Sequence, residues 1–464
     1  LVRRGSISYK ESSTLTVPGF QNSIGFMGQK SVGGGVFSPG LPFAFGMPGV
    51  SFVEKAIDNG WLFMNDSIIN PATNNHSQDL DIKLNLEPLP GFKIDLTARY
   101  TASKSNSIQY MFDGMPTQFT GNFQMTHVAI ATAFWRRGKV DKYDSRAFEL
   151  FEQNRRVVAD RFQQRYQGTR YPTQGFMADH ELAGQTFDEG NGGVNINSPD
   201  VLIPAFFAAY SGRDVNRASS NIIPSLWSLL PNWKVSYDGL IKIPWFAKHF
   251  RSVTINHQYT CTYNIGSYSS YANYVENEDG FGFIRNVTSG NPIPSSAYDV
   301  STVVLNESFM PLISLDFALK NSLTFKAEYK QQRTISLNLT STQVVEATSQ
   351  EYVLGVGYVL KDFNVMLKTK SNRVRKVKND LTLRLDLGYK NIATIISKLD
   401  SDDVPQATAG SKTMTVKFTA DYVFSSRLNF RFFYDYQSNA PLITTSYPMS
   451  DSNIGLSIKL MLTR

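Results

Sequence analysis

Taken two residues at a time, Ile454, Leu456, Ile458, Leu460 and Leu462 fall on one side, with Gly455, Ser457, Lys459 and Thr463 on the other. Upstream, Leu428, Phe430, Phe432, Tyr434 and Tyr436 oppose Asn429, Arg431 and Asp435. Met414, Val416, Phe418, Ala420, Tyr422 and Phe424 likewise oppose Thr413, Thr415, Lys417, Thr419 and Asp421. Leu381, Leu383, Leu385, Leu387 and Tyr389 oppose Thr382, Arg384 and Asp386. Successive side chains of a strand point to opposite faces, so this period of two predicts strands with one apolar and one polar face. The ladder extends backward. Ile313, Leu315, Phe317 and Leu319 pair in pattern with Leu323, Phe325, Ala327 and Tyr329, and Val253 to Ile265 alternates with Ser252, Thr254, Asn256 and Thr260. Leu80, Ile82, Leu84 and Leu86 turn through Glu87-Pro88-Leu89-Pro90-Gly91 into Phe92, Ile94, Leu96, Ala98 and Tyr100, and 119–134 reads as another strand.

A soluble half-buried sheet would alternate too. Connection lengths favour a membrane instead. Lys320-Asn321-Ser322, Lys361-Asp362, Lys390-Asn391 and Ser425-Ser426-Arg427 read as tight turns, and the polar stretches 340–349, 371–380, 399–411 and 438–452 as longer loops. Short turns on one side and longer loops on the other mark a transmembrane barrel. Tyr358, Tyr389, Tyr422 and Phe424 fall beside the short turns, and Tyr329, Tyr434 and Tyr436 nearer the loops, as two aromatic girdles would. The expected fold is all-β: a transmembrane antiparallel β-barrel, an arc of a very large one, with roughly 13 or 14 crossings and long loops holding short helices. On this reading residues 1–464 are the carboxy-terminal part of one barrel domain in a bacterial outer membrane, with a periplasmic carboxy terminus.

Composition agrees. Charged residues make up 18% of the 464, aromatics 13%, with 22 Tyr and 32 Phe. A mean hydropathy of −0.23 excludes a helical membrane bundle. The single cysteine, Cys261, excludes an internal disulfide and a thiolate zinc cluster. A net charge of +7 with pI ≈ 9.1 comes without a basic recognition motif, so no nucleic-acid partner is expected. The chain begins Leu1-Val2-Arg3-Arg4, and a fragment of a longer precursor is expected.

Between the strands, 135–232 has no period of two. One helix is predicted near 145–167, from the spacing of Phe148, Phe151, Val158, Phe162 and Tyr166, with Arg155, Arg156, Arg161 and Arg165 alongside. Asp144 or Ser145 would cap its start and Gly168 its end. Strand directions are reconciled if 135–250 is periplasmic and Trp233–Tyr237 is not a full crossing.

Candidate chemistry is thin. His76, His127, His180, His249 and His257 show no metal-ligand spacing, and Asp179-His180-Glu181 lacks the rest of a catalytic motif. Asp400-Ser401-Asp402-Asp403 and Asp188-Glu189-Gly190-Asn191 could offer oxygens to Ca²⁺, but neither has the spacing of a calcium loop. No enzyme, cofactor or metal is expected.

One segment carries a resemblance. Pro231-Asn232-Trp233-Lys234-Val235-Ser236-Tyr237-Asp238-Gly239-Leu240, followed by Phe250-Arg251-Ser252-Val253-Thr254, resembles the SprA/Sov family, the giant outer-membrane translocon proteins of type IX secretion in Bacteroidetes. Asp200–Phe206, Gly121–Met125 and Phe433–Ser438 agree with it, and the likeness covers essentially the whole chain. It implies an arc of a barrel whose lumen passes folded proteins bearing a type IX carboxy-terminal signal. The implied partners are a PorV-type outer-membrane barrel, a periplasmic plug protein, that cargo and outer-membrane lipids. The residues expected to matter are architectural. Ile454, Leu456, Ile458, Leu460 and Leu462 form the lipid face of a barrel-closing strand. Pro231, Asn232, Trp233, Tyr237, Asp238 and Gly239 shape a turn and its girdle, with Gly239 supplying φ > 0. The alternatives are a TonB-dependent-type uptake receptor and a structural surface scaffold.

Overall fold

The computed structural model describes residues 2–461 apart from 32–36, 47–48, 64–69, 111–116, 136–144, 220, 369–373, 402–404, 426 and 444–445. Alternating segments become one antiparallel sheet of fourteen strands. They are β1 (Val2–Thr16), β2 (Ala72–Leu89), β3 (Phe92–Ile108), β4 (Gln118–Thr126), β5 (Asn232–Tyr237), β6 (Phe250–Ser270) and β7 (Tyr298–Val300). After them come β8 (Thr302–Leu319), β9 (Leu323–Asn338), β10 (Gln343–Lys368), β11 (Val374–Lys398), β12 (Gln406–Ser425), β13 (Leu428–Pro441) and β14 (Met449–Leu460). The path runs β1-β2-β3-β4-β6-β8 and then in chain order to β14. The architecture is all-β and barrel-like, an arc in which β1 and β14 each pair on one side only among the described residues.

Register confirms the faces. Leu323, Tyr358, Leu383, Ala420, Phe432 and Leu456 are successive cross-strand partners, so the predicted apolar rows join into one apolar face. Ile454, Leu456, Ile458 and Leu460 extend it and are 58–67% exposed; Leu462 lies outside the described residues. The opposite face is polar and ion-paired, with Arg384 2.7 Å from Asp386 and Lys326 and Lys330 each 3.3 Å from Glu328.

Several sequence boundaries move. Lys361-Asp362 is a bulge inside β10, with Asp362 at φ 60, and Lys390-Asn391 pairs with Glu351-Gln350 in mid-strand. Two long strands therefore replace four short ones, and the path has twelve lanes. The stretch 340–349 is a tight turn at 339–342 followed by strand. The 119–134 strand stops at Thr126. The asymmetry of connections holds in part. One edge carries the long links 17–71 and 271–297 but also the tight turn at 339–342, and the other carries the turns at 90–91, 320–322 and 427 but also the link 238–249.

The 135–250 discrepancy resolves in the β4 lane. β4 pairs with the upper part of β3, from Ser107↔Gln118 to Tyr100↔Met125. β5 pairs with its lower part, from Thr97↔Asn232 to Phe92↔Tyr237. Both also pair with β6. A single lane is thus made of two half-strands running the same way, interrupted by the insertion 127–231. The insertion leaves the sheet in mid-lane and packs toward the long-link edge, and Trp233–Tyr237 is a half-strand rather than a full crossing, as the strand directions required.

Candidate functional site: the covered and uncovered apolar face

The break in the lane is sealed around one residue. Cys261 would lose both ladder partners there; instead its N–H donates to Asn232 Oδ1 at 2.8 Å and its carbonyl accepts from His127 N–H at 3.0 Å. Asn232 is therefore a strand residue that mends the sheet rather than part of a turn, and so are Trp233 and Tyr237 in β5. Asp238 N–H donates to Gly91 O at 2.9 Å, tying β5 to the β2–β3 turn. Gly239 is not at positive φ, contrary to expectation. Its need is space, since a Cβ would come within 2.6 Å of the Tyr237 ring. Pro231 simply precedes the strand. Replacing Asn232 with Ala leaves a buried N–H unpaired and is expected to cost about 1–3 kcal/mol in urea unfolding, while Asn232→Asp, which keeps the acceptor, should cost less.

A helix α1 (Val50–Asp58) lies in the 17–71 link, and the insertion contains α2 (Arg146–Tyr166) and α3 (Pro199–Ser211). The predicted helix is present with its spacing intact. Ser145 occupies the N-cap without capping; its Oγ donates to Glu346 in β10 at 3.3 Å. Phe148, Phe151, Val158, Val201, Leu202, Phe206 and Tyr210 pack on Tyr259, Tyr263, Leu305, Phe309, Ile335 and Leu337. Those wall residues belong to the upper part of the same apolar face whose lower part is exposed. One face thus has two zones, one covered by protein and one bare.

Polar anchors fix the cover. Glu307 on β8 is almost fully buried and accepts from Arg333 Nε at 2.5 Å and from the Tyr259 hydroxyl at 2.7 Å. Arg333 donates onward to the Thr132 carbonyl at 3.1 Å, the Thr132 hydroxyl at 2.6 Å and the Ala129 carbonyl at 3.2 Å. Gln331 donates to Ala133 O at 2.8 Å. Arg155 of α2 reaches Asp400 at 2.9 and 3.1 Å, and this pairing holds the Asp400 carboxyl below its ordinary range. Asp400 is thereby occupied as an anchor, whereas Asp402 and Asp403 lie outside the described residues. Asp188 caps a short turn through Gly190 N–H, and no metal-ligand cluster is present among the described residues. Asp200 is buried at the start of α3, accepting from Ser296 N–H at 2.9 Å, and burial pushes its carboxyl up.

His127 sits under the cover, 2.9 Å from Ser211 Oγ. Burial, and then the nearby Arg213 charge, push it down to about 3. The unfolded chain holds the extra proton from pH 6.5 downward, so this contribution is complete above 6.5 and is lost as pH falls toward 3. Stability should decline by up to about 1.4 kcal/mol per pH unit within that window. The decline should flatten in His127→Gln, as thermal midpoints measured across pH would show.

The bare zone is bordered by aromatic rows. Tyr329, Tyr352 and Tyr389 form the upper one, with ring centroids 4.7 and 6.4 Å apart. Phe363, Tyr422, Phe424 and Phe430 form the lower, at 6.1–6.4 Å. Tyr389 thus joins the upper row, not the turn-side row expected from sequence, because Lys390-Asn391 is no turn. Trp233 stands where bare and covered zones meet, stacked on Tyr259 at 4.4 Å and donating to His257 Nε2 at 3.0 Å.

No protein-family model matches the chain, and no curated protein matches it. Among solved structures, the chain is similar to the β domain of the Bordetella autotransporter BrkA. The likeness has 8% identity and a TM-score of 0.20, covering 83% of this chain and 89% of that one.

Proposed function

We propose that this chain is an arc of an outer-membrane export barrel, with its bare apolar zone against lipid and its polar face lining a wet pore. The observation that carries this is the bare zone itself, apolar on every strand from β8 to β14 and bordered by an aromatic row on each side. On β11 the rows are set by Tyr389 and by Leu381, the partner of Tyr422. Eight residues of strand span about 26 Å, close to the apolar band of about 25 Å that outer-membrane barrels present. The long-link edge is then extracellular, the tight turns and carboxy terminus are periplasmic, and the insertion clads the wall outside the bilayer. No described helix is long and apolar enough to cross a membrane.

The finer reading is a type IX translocon of the SprA/Sov kind, supported by the 231–240 and 250–254 segments. Twelve lanes are too few for a pore passing folded domains, which favours a wall shared with further strands; the largest barrels have about 36. Cargo with a type IX signal, a PorV-type barrel and a periplasmic plug are the partners this reading assigns, and it gives the chain no catalysis. Deleting the coding region should strand type IX-signal proteins inside the cell, as surface proteolysis and fractionation would reveal. Continued surface delivery would remove the export reading and leave an uptake receptor or scaffold.

A further inference from the structure

The insertion holds a cavity that the export reading leaves unused. It lies between α3 and the loop that follows, with about 420 Å³ of space. Ile203, Pro204, Phe207, Ile222, Pro224 and Tyr263 give it an apolar floor, and Asp214, Ser219, Asn221, Ser225 and Ser228 join two arginines around it. A pocket of this size with a wholly apolar floor and its polar groups set around it suits a hydrocarbon chain carrying a polar head. Its rim is cationic. Arg213 lies 5.6 Å over the Phe207 ring with no carboxylate partner among the described residues. Arg217 has only a loose pair with Asp214 at 3.9 Å, and both side chains are more than half exposed.

The cavity is also walled by the segment that leads to the border of the bare zone. Ser225 and Ser228 line it, and between them Trp227 is 94% exposed. The segment 222–231 is Ile-Ile-Pro-Ser-Leu-Trp-Ser-Leu-Leu-Pro and leads directly into β5, where Trp233 marks the border. An outward indole on an apolar segment is what settles at a bilayer surface.

We propose that this cavity holds an acyl chain of an anionic lipid from the adjoining leaflet, with Arg213 bound to the lipid phosphate. A guanidinium matches phosphate geometry and forms charge-assisted hydrogen bonds with it, while the apolar floor removes the chain from water. The site anchors the cover to the membrane it stands on. The choice of a lipid as occupant rests on assigning the bare zone to a bilayer, but the chemistry of the cavity can be tested without one.

The test uses the full chain held in amphipol, with a dansylated undecanoic acid as reporter and dodecyl phosphate, dodecyl maltoside and inorganic phosphate as competitors. Dodecyl phosphate should displace the reporter at a concentration at least tenfold below dodecyl maltoside, and inorganic phosphate should displace none. Arg213→Gln should erase the difference between the two amphiphiles while chain binding persists. Ala208→Phe, which fills the cavity, should abolish reporter binding with circular dichroism unchanged. Equal displacement by both amphiphiles, an unaltered preference in Arg213→Gln, or full binding by a folded Ala208→Phe would each overturn the proposal. Such a failure would leave the strand reading standing, because that reading depends on which face meets lipid.

Discussion

Arg333→Ala is expected to destabilise the protein by about 3–5 kcal/mol, because it strands the Glu307 carboxylate in a buried site. Glu307 is 1% exposed, and without Arg333 only the Tyr259 hydroxyl still donates to it among the described residues. The same substitution removes three donors from the 129–132 segment, so the cover should loosen before the wall unfolds. Trypsin offers a local readout, since α2 carries Arg155, Arg156, Arg161 and Arg165. Cleavage there should accelerate in Arg333→Ala at concentrations that leave the strands intact. Replacing both partners, as in Arg333→Met with Glu307→Leu, should recover most of the stability, because no charge is left buried alone. A single variant as stable as the parent would show that the anchor is not what holds the cover.

Leu385→Arg is the second large effect, about 2–4 kcal/mol if the bare zone meets the bilayer core. Leu385 lies midway between the two aromatic borders of β11, where an ionised side chain has the longest way to water. Thr382→Arg, near it on the polar face, should be close to neutral, since that face is polar and already carries Arg384. Heat-modifiable migration of the folded barrel and urea unfolding in lipid would compare the two. Equal effects would mean that the two faces meet the same solvent.

The contrast between these two sites explains what could be read in advance. Where the apolar face is bare, a strict period of two is required, and rows such as Leu381–Leu387 and Ile454–Leu460 announced their strands and faces correctly. Where the face is covered by the insertion, polar residues are admissible if they find partners. Glu307, Arg333 and Glu346 sit at apolar-face positions, and the alternation fades. Lys390-Asn391 looked like a turn for that reason, although it is an ordinary stretch of β11. The α2 helix was legible because its apolar stripe is continuous from Phe148 to Tyr166. The split lane was not, since β4 and β5 are short and their shared neighbours are far away in sequence. Asn232 was singled out, but its task depends on Cys261 and His127 meeting it in space. The cavity beside α3 left no periodic signal, because its lining comes from a helix, a loop and a strand.

Spin-label accessibility along β11 tests most directly which face of the sheet meets lipid. Labels placed singly from Leu381 to Tyr389, in protein reconstituted into bilayers, would be probed with oxygen and with a neutral nickel chelate. Oxygen accessibility should peak at Leu381, Leu383, Leu385 and Leu387, with nickel accessibility peaking at Thr382, Arg384 and Asp386, the two patterns alternating out of phase. In-phase patterns, or nickel reaching Leu385 as readily as Arg384, would contradict a lipid-facing apolar zone and with it the membrane wall.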